Sequence, residues 1–148
     1  MPDQLSNELR GLFAQVADTR VPAAAELHAY FEARGLSINP AGPNLERPPW
    51  STIVAPEDSF VEIGGGSVAG IRFGDDPRGY GAYAEIVVTT GTLQEVEAVT
   101  GPLAPMVSRM TRYEALFARA VIHGHRIPVH VVHDNGAVKT VTVEFDRG

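Results

Sequence analysis

The hydrophobic positions near the start of the chain repeat at helical spacing. The apolar residues at this spacing are Leu5, Leu9, Leu12, Phe13 and Val16. They predict an amphipathic helix over residues 3–18, with Asp3 as its N-cap. A second helix is predicted from about residue 22 to residue 34, because Pro22 suits a first helical turn and Gly35 suits the position after a helix end.

From residue 60 the pattern changes to short runs rich in β-branched and aromatic residues, which are typical of strands. The strands predicted from these runs cover residues 60–63, 68–73 and 83–89. The glycines at 64–66 predict a hairpin turn between the first two strands. Thr92 and Glu95 are spaced as a capping box, which predicts a third helix that ends at Gly101.

Two turn signals organise the end of the chain. His123-Gly124 and Asn135-Gly136 predict two-residue turns, so the last part of the sequence reads as three successive strands. These strands cover a run that ends at residue 122, then 126–133 and 138–145. The first run could also form a helix by propensity. Pro128 inside the middle run indicates a bulge or an edge strand, because proline cannot donate to a sheet.

These elements predict one α+β domain over residues 1–148. It has two N-terminal helices, three strands, one helix and a C-terminal antiparallel β-meander, with the helices packed on a curved, mainly antiparallel sheet. Residues 36–56 contain five prolines and are expected to form a long internal loop. Trp50, the one tryptophan, lies in this loop; it either fixes the crossing from the helices to the sheet or contacts a partner.

Composition limits the classes of function. The net charge of −6 and the single lysine disfavour nucleic acid as a partner, and the absence of cysteine excludes disulfides and thiolate chemistry. No signal peptide or apolar run of membrane-spanning length is present, so we expect a soluble, cytoplasmic protein. Residues 57–108 hold eight acidic and two basic residues, which suits a partner with a basic surface or simply a solvated face.

Four histidines near the C-terminus are the first candidates for chemistry. Imidazoles beside Asp134 could bind zinc or act as a base. If His123 lies in a turn, however, His125 and His133 are about 20 Å apart on one strand and cannot share a metal ion. The glycines at 64–66 lack the lysine of a phosphate loop. We therefore expect no metal, no cofactor and no catalytic group.

Aromatic and charged residues around position 80 have the composition of an adaptable contact loop, although packing in the core or at a sheet edge is the alternative. With the tryptophan, the residues expected to bind a partner are Trp50, Asp75, Asp76, Arg78, Tyr80 and Tyr83. The favoured hypothesis is a non-enzymatic, intracellular protein-binding domain, such as an inhibitor or a toxin-immunity-like protein. The oligomeric state stays open, and an accessory subunit that oligomerises through an apolar patch is a further hypothesis.

The order of elements, with two helices, a short hairpin region, a helix and a long meander, resembles that of the NTF2-like cone fold. The resemblance implies a pocket between the sheet and the helices, lined by His130 or Tyr83. It supplies the alternative function, a small-molecule-binding protein or enzyme with an internal pocket.

Overall fold

A computed structural model describes residues 3–39, 59–75, 81–106 and 114–146. The helices are α1 (Gln4–Phe13), α2 (Ala24–Ala33) and α3 (Leu93–Thr100). The strands are β1 (Ile38–Asn39), β2 (Ser59–Glu62), β3 (Val68–Asp75), β4 (Gly81–Val88), β5 (Ala104–Met106), β6 (Glu114–Ile122), β7 (His125–Asp134) and β8 (Ala137–Asp146).

The strands form one antiparallel sheet in the order β1-β2-β3-β4-β8-β7-β6-β5. The α+β class and the C-terminal meander predicted from the sequence are confirmed. The two short strands at the edges, β1 and β5, were not predicted. β1 lies within the loop expected over residues 36–56, and residues 40–56 of that loop lie outside the described residues. Pro105 in β5 is compatible with an edge position, since an edge strand needs hydrogen bonds on one side only.

The helices cover one face of this sheet, which we call the helix face. Alternate residues of the central strands point into it and form the core with the helices. These strand residues include Ile71, Phe73, Ala84, Ile86, Val141 and Val143. The rings of Phe31 in α2 and Phe73 in β3 lie 4.9 Å apart. We call the opposite side of the sheet the second face.

The two turns predicted in the meander are confirmed. His123 and Gly124 have φ values of 51° and 79°, and Asn135 and Gly136 have φ values of 50° and 88°. These are the backbone values of the tight turns that suit the twist of a hairpin. Residues 114–122 form a strand rather than a helix, because the His123-Gly124 turn brings them into register with β7.

Pro128 is accommodated in β7 although this strand lies inside the sheet. β7 pairs with β6 along its length, from His125 to His133, but its pairing with β8 runs only from Val129 to Asp134. Pro128 therefore lies just beyond the paired part of β7 and β8, where its missing N–H breaks no ladder bond.

Glu95 joins two helix N-termini. Its Oε1 accepts a hydrogen bond from the Thr92 amide at 3.3 Å, while Thr92 Oγ1 accepts one from the Glu95 amide at 3.3 Å. The predicted capping box is thus confirmed. The second carboxylate oxygen, Oε2, accepts from the amide of Leu5 in α1 at 3.2 Å. Asp3 occupies the N-cap position of α1 but makes no side-chain cap bond, so Glu95 supplies it instead.

An ion pair holds α2 beside α1. Arg34, at the end of α2, donates two hydrogen bonds of 2.8 Å to the buried carboxylate of Glu8 in α1. Glu8 raises the pKa of Arg34 above its ordinary value, so the guanidinium of this bidentate contact keeps its charge up to strongly alkaline pH. The predicted helix end at Gly35 is confirmed: its amide bonds the Glu32 carbonyl, and the Leu36 amide bonds the Phe31 carbonyl.

Replacing Glu95 with alanine is expected to lower the free energy of unfolding by about 2–3 kcal/mol, because it removes a cap from α3 and leaves a buried amide of α1 unpaired. Glu97→Ala is the control, since Glu97 is an exposed acidic residue of the same helix. Urea unfolding measures both. Equal stabilities of the two variants would show that the shared cap is unimportant.

Candidate functional site

Of the six residues predicted to bind a partner, two lie in the part of the chain that the structure describes. Asp75 ends β3 and Tyr83 lies in β4. Trp50, Asp76, Arg78 and Tyr80 lie outside the described residues, so their expected role in binding stays a prediction.

Asp75 is exposed, but it also has a structural partner. Its Oδ1 accepts a hydrogen bond of 3.3 Å from the amide of Ala24, the first residue of α2. Ala23 is the N-cap of this helix and has no side-chain acceptor. Because a carboxylate near a helix N-terminus satisfies a free amide and the helix dipole, Asp75 stabilises α2 from the end of a strand.

Several acidic residues of the middle segment therefore have structural roles. Besides Asp75, which caps α2, Glu95 caps two helices and Glu85 is buried in β4. Among the described acidic residues between positions 57 and 108, Glu62 and Glu97 are exposed and form no bond to a helix end. The excess of acid in the sequence is thus a weak guide to an acidic contact surface.

Tyr83 lies inside the protein rather than in an exposed contact loop, since it is 1% exposed. It points to the second face, because its neighbours Ala82 and Ala84 belong to the core under the helices. His130 lies on the second face too, opposite Thr142 of β8. The expectation that Tyr83 or His130 lines a pocket between the sheet and the helices is thus wrong, because alternation along the strands turns both away from the helices.

The histidines do not lie close together, in agreement with the expectation that His125 and His133 are too far apart to share a metal ion. His123 lies in a turn and its Nδ1 is 2.9 Å from Asp18, with both side chains exposed. His125 and His133 lie at opposite ends of β7. His133 is buried: Nδ1 accepts a bond of 3.0 Å from the Gly136 amide, and Nε2 lies 3.3 Å from Glu114. No group of three metal-binding side chains occurs within the described ranges.

A row of polar side chains crosses the second face. The register places Arg72 of β3 beside Glu85 of β4, then Thr142 of β8 and His130 of β7. Arg72 is 8% exposed and Glu85 is 3% exposed, and both have interaction partners. Burying charged groups is costly unless they are paired. The buried side chains of Arg72 and Glu85 therefore distinguish this row from a solvent-exposed polar surface.

The outer end of the second face carries a different set of side chains, which the sequence-based prediction missed. Arg119 and Val121 lie two residues apart on β6, and Val121 is opposite Arg126 of β7. Because residues two apart on a strand share a face, all three side chains point the same way. We call these three residues the hairpin patch. Val121 is 67% exposed, and both arginines are exposed.

The hairpin patch lies beyond the end of the neighbouring strand. β5 pairs with β6 only from Ala115 to Phe117, so within the described ranges no strand runs beside Val121 on the side of β6 away from β7. Apolar side chains of this size are seldom so exposed: of the large hydrophobic residues that the structure describes, only Val121 and Met106 are exposed. Met106 lies in β5, where its Sδ is 3.4 Å from Nδ1 of His130.

The charges of the hairpin patch are not neutralised. Neither Arg119 nor Arg126 forms an ion pair or hydrogen bond with a side chain within the described ranges. As diagonal neighbours on adjacent strands, their Cα atoms are about 7–8 Å apart. Their guanidinium groups extend from the same face, so the two like charges repel each other. An acidic group placed between them would convert this repulsion into attraction.

Comparison with family models, with curated proteins and with solved structures finds no match to this chain. The resemblance to the NTF2-like fold in the order of elements therefore stays a prediction. No helix among the described residues is long and apolar enough to cross a membrane. The candidate site consists of a polar row at the centre of the second face and an exposed basic and apolar patch at its end.

Replacing Asp75 with lysine is expected to lower the free energy of unfolding by about 1–2 kcal/mol, because it removes the cap of α2 and places a positive charge near the helix N-terminus. Glu62→Lys is the matched control, since Glu62 is exposed on β2. Thermal or urea unfolding checks this expectation. Indistinguishable stabilities would mean that Asp75 is free to serve binding alone.

Proposed function

We propose that this chain is a non-enzymatic protein-binding domain that contacts its partner with the outer end of the second face. The observation that carries the proposal is Val121, a large apolar side chain that is 67% exposed and shares its face with two arginines that have no acidic partner among the described residues. Arginine beside apolar surface is the composition enriched at protein interfaces. A cytoplasmic site of action remains part of this proposal.

The helices support this assignment by closing the other face. The core side chains of the central strands are buried against α1 and α2, so binding on the helix face would require the helices to move. The outer end of the second face needs no such movement, because the side chains of the hairpin patch are already exposed. Because the backbone of the β6–β7 hairpin is already ordered, binding there loses little backbone conformational entropy.

The earlier hypothesis of an inhibitor-like domain with a basic partner, bound by acidic and aromatic loops, concerns a different surface. Asp75 caps α2 and Tyr83 is buried, so these two residues give it less support than their sequence context did. Its remaining residues, Trp50, Asp76, Arg78 and Tyr80, stay a prediction. An inhibitor or toxin-immunity role is compatible with binding at the hairpin patch, but it rests on small size and the lack of a catalytic motif.

The test is affinity capture from an extract of the source organism, with wild type and two variants compared side by side. Val121→Asp is expected to abolish capture of the specific partner, because it puts a desolvated charge at the centre of the interface. Ala137→Asp, at an exposed position of β8, is the control and should capture the partner normally. A partner retained equally by both variants would contradict binding at this patch.

A second function is favoured by the buried polar row. Arg72 and Glu85 of this row, together with Tyr83 two residues before Glu85 on the same face, place a cation, a carboxylate and a phenol at the centre of the sheet, among mostly apolar neighbours. Small-molecule sites combine an apolar lining with a few such polar groups. Here the proposal is a small polar ligand that is recognised by these three side chains.

A thermal-shift screen of small carboxylates, amines and sugars tests this second function. A ligand of this row should raise the unfolding temperature of wild type, and its effect should disappear in Tyr83→Phe, which removes one hydroxyl and conserves the ring. Tyr30→Phe is the control, since Tyr30 lies in α2 on the other side of the sheet. A ligand whose effect survives Tyr83→Phe binds elsewhere.

A further inference from the structure

The hairpin patch has a charge pattern that defines the chemistry of its partner. We infer that the patch binds an acidic segment of another protein, in which carboxylates flank an apolar residue. This inference rests on the proposed function, because it names the class of partner that the same surface would recognise. It is carried by the register of Arg119, Val121 and Arg126 and by the absence of ion pairs to either arginine in the described parts of the chain.

The patch places one arginine along the strand from Val121 and a second across from it, so two carboxylates can bind beside one apolar contact. Arg119 is two residues from Val121 on the same strand, so their Cα atoms are about 6–7 Å apart. Arg126 lies directly across from Val121 on the neighbouring strand, about 4.5–5.5 Å away. Each planar guanidinium can hold one carboxylate by two parallel hydrogen bonds. Val121 supplies the apolar contact that desolvates these bonds and strengthens them.

A second copy of this chain is a poor occupant of the patch. Dimers of identical chains usually place the same surface of each copy against itself around a two-fold axis. Such a contact at the hairpin patch would bring Arg119 and Arg126 of one copy against the same arginines of the other. The like charges would repel, so the patch favours a partner of different sequence and opposite sign.

Nucleic acid fits the patch less well than an acidic protein segment. Binding to a phosphate backbone draws its strength from many cationic contacts that release counterions, whereas the patch has two arginines in a chain with a net charge of −6. The centre of the patch is also an apolar valine rather than an aromatic ring on which a base could stack. Carboxylates around an apolar side chain match both features.

The test titrates isotope-labelled protein with a short peptide that alternates glutamate and leucine. Two further probes are a neutral peptide with glutamine for glutamate and an oligothymidine of equal charge. We expect the acidic peptide to shift the amide signals of residues 117–130, to bind at least about tenfold more tightly than the neutral peptide, and to weaken with added salt. Tighter binding of the oligothymidine, or equal binding of the neutral peptide, would overturn the inference.

Charge-reversal variants locate the effect. The double variant Arg119→Glu with Arg126→Glu should lose at least about tenfold in affinity for the acidic peptide. Lys139→Glu is the control, because Lys139 is exposed in the bulge of β8 roughly 20 Å along the sheet from Arg126. All of these residues are exposed, so circular dichroism should show wild-type folding. An affinity that falls equally in the control would overturn the assignment to this patch.

The failure of this inference can be told from the failure of the proposed function. Suppose that wild type captures a partner, that Val121→Asp loses it and that the double arginine variant retains it. This result would support binding at the patch but would show that the partner is not recognised by its acidic residues. Sedimentation of the free protein adds a separate check. A dimer that Val121→Asp dissociates would show that the occupant is a second copy, and would overturn the inference of a different acidic partner.

Discussion

The arrangement of this fold depends on one carboxylate that serves two helices. Glu95 closes the capping box of α3 and also accepts the Leu5 amide of α1, which is distant in sequence. Ser6 of α1 strengthens the same contact by donating a hydrogen bond of 2.7 Å to the Glu95 carbonyl. Free amides at a helix N-terminus need an acceptor, and here one side chain fixes the position of α1 relative to α3.

This constraint separates the two faces of the sheet. With α1 fixed through α3, and α2 held by Asp75 and by the Glu8–Arg34 ion pair, the helix face is filled by buried apolar side chains. The second face carries the groups that core packing does not require: a buried polar row at its centre and an exposed basic and apolar patch at its end. Acidic residues that the composition suggested as a binding surface cap helices instead. Arginines of the C-terminal meander remain exposed.

Local signals predicted much of the fold. The Thr92–Glu95 capping box and the two tight turns depend on residues close in sequence, and the structure confirms them. Helical periodicity predicted the first helix over residues 3–18, and the structure confirms it over Gln4–Phe13. The edge strands β1 and β5 were missed because strands of two and three residues have too short a pattern to detect. The bond from Glu95 to α1 could not be predicted, since nothing local indicates which remote amide a carboxylate will meet.

The candidate site was predicted less well, for a physical reason. Their acidic and aromatic character made Asp75 and Tyr83 candidates for an exposed contact surface. Tertiary contacts decide otherwise, because Asp75 bonds the end of α2 and Tyr83 is buried on the second face. The hairpin patch, by contrast, was accessible from the sequence. Once His123-Gly124 is taken as a two-residue turn, Val121 must lie opposite Arg126, and alternation puts Arg119 on the same face. What the sequence did not indicate is that β5 pairs only with residues 115–117 of β6 and so ends short of Val121.

The most direct measurement of the central claim is amide hydrogen exchange of this protein, alone and with the partner that wild type captures. Binding at the end of the second face should slow exchange in the β6–β7 hairpin, around residues 117–130, and leave α1 and α2 unchanged. Protection confined to the helices, with the hairpin exchanging as fast as in the free protein, would contradict the account and place the binding surface on the helix face.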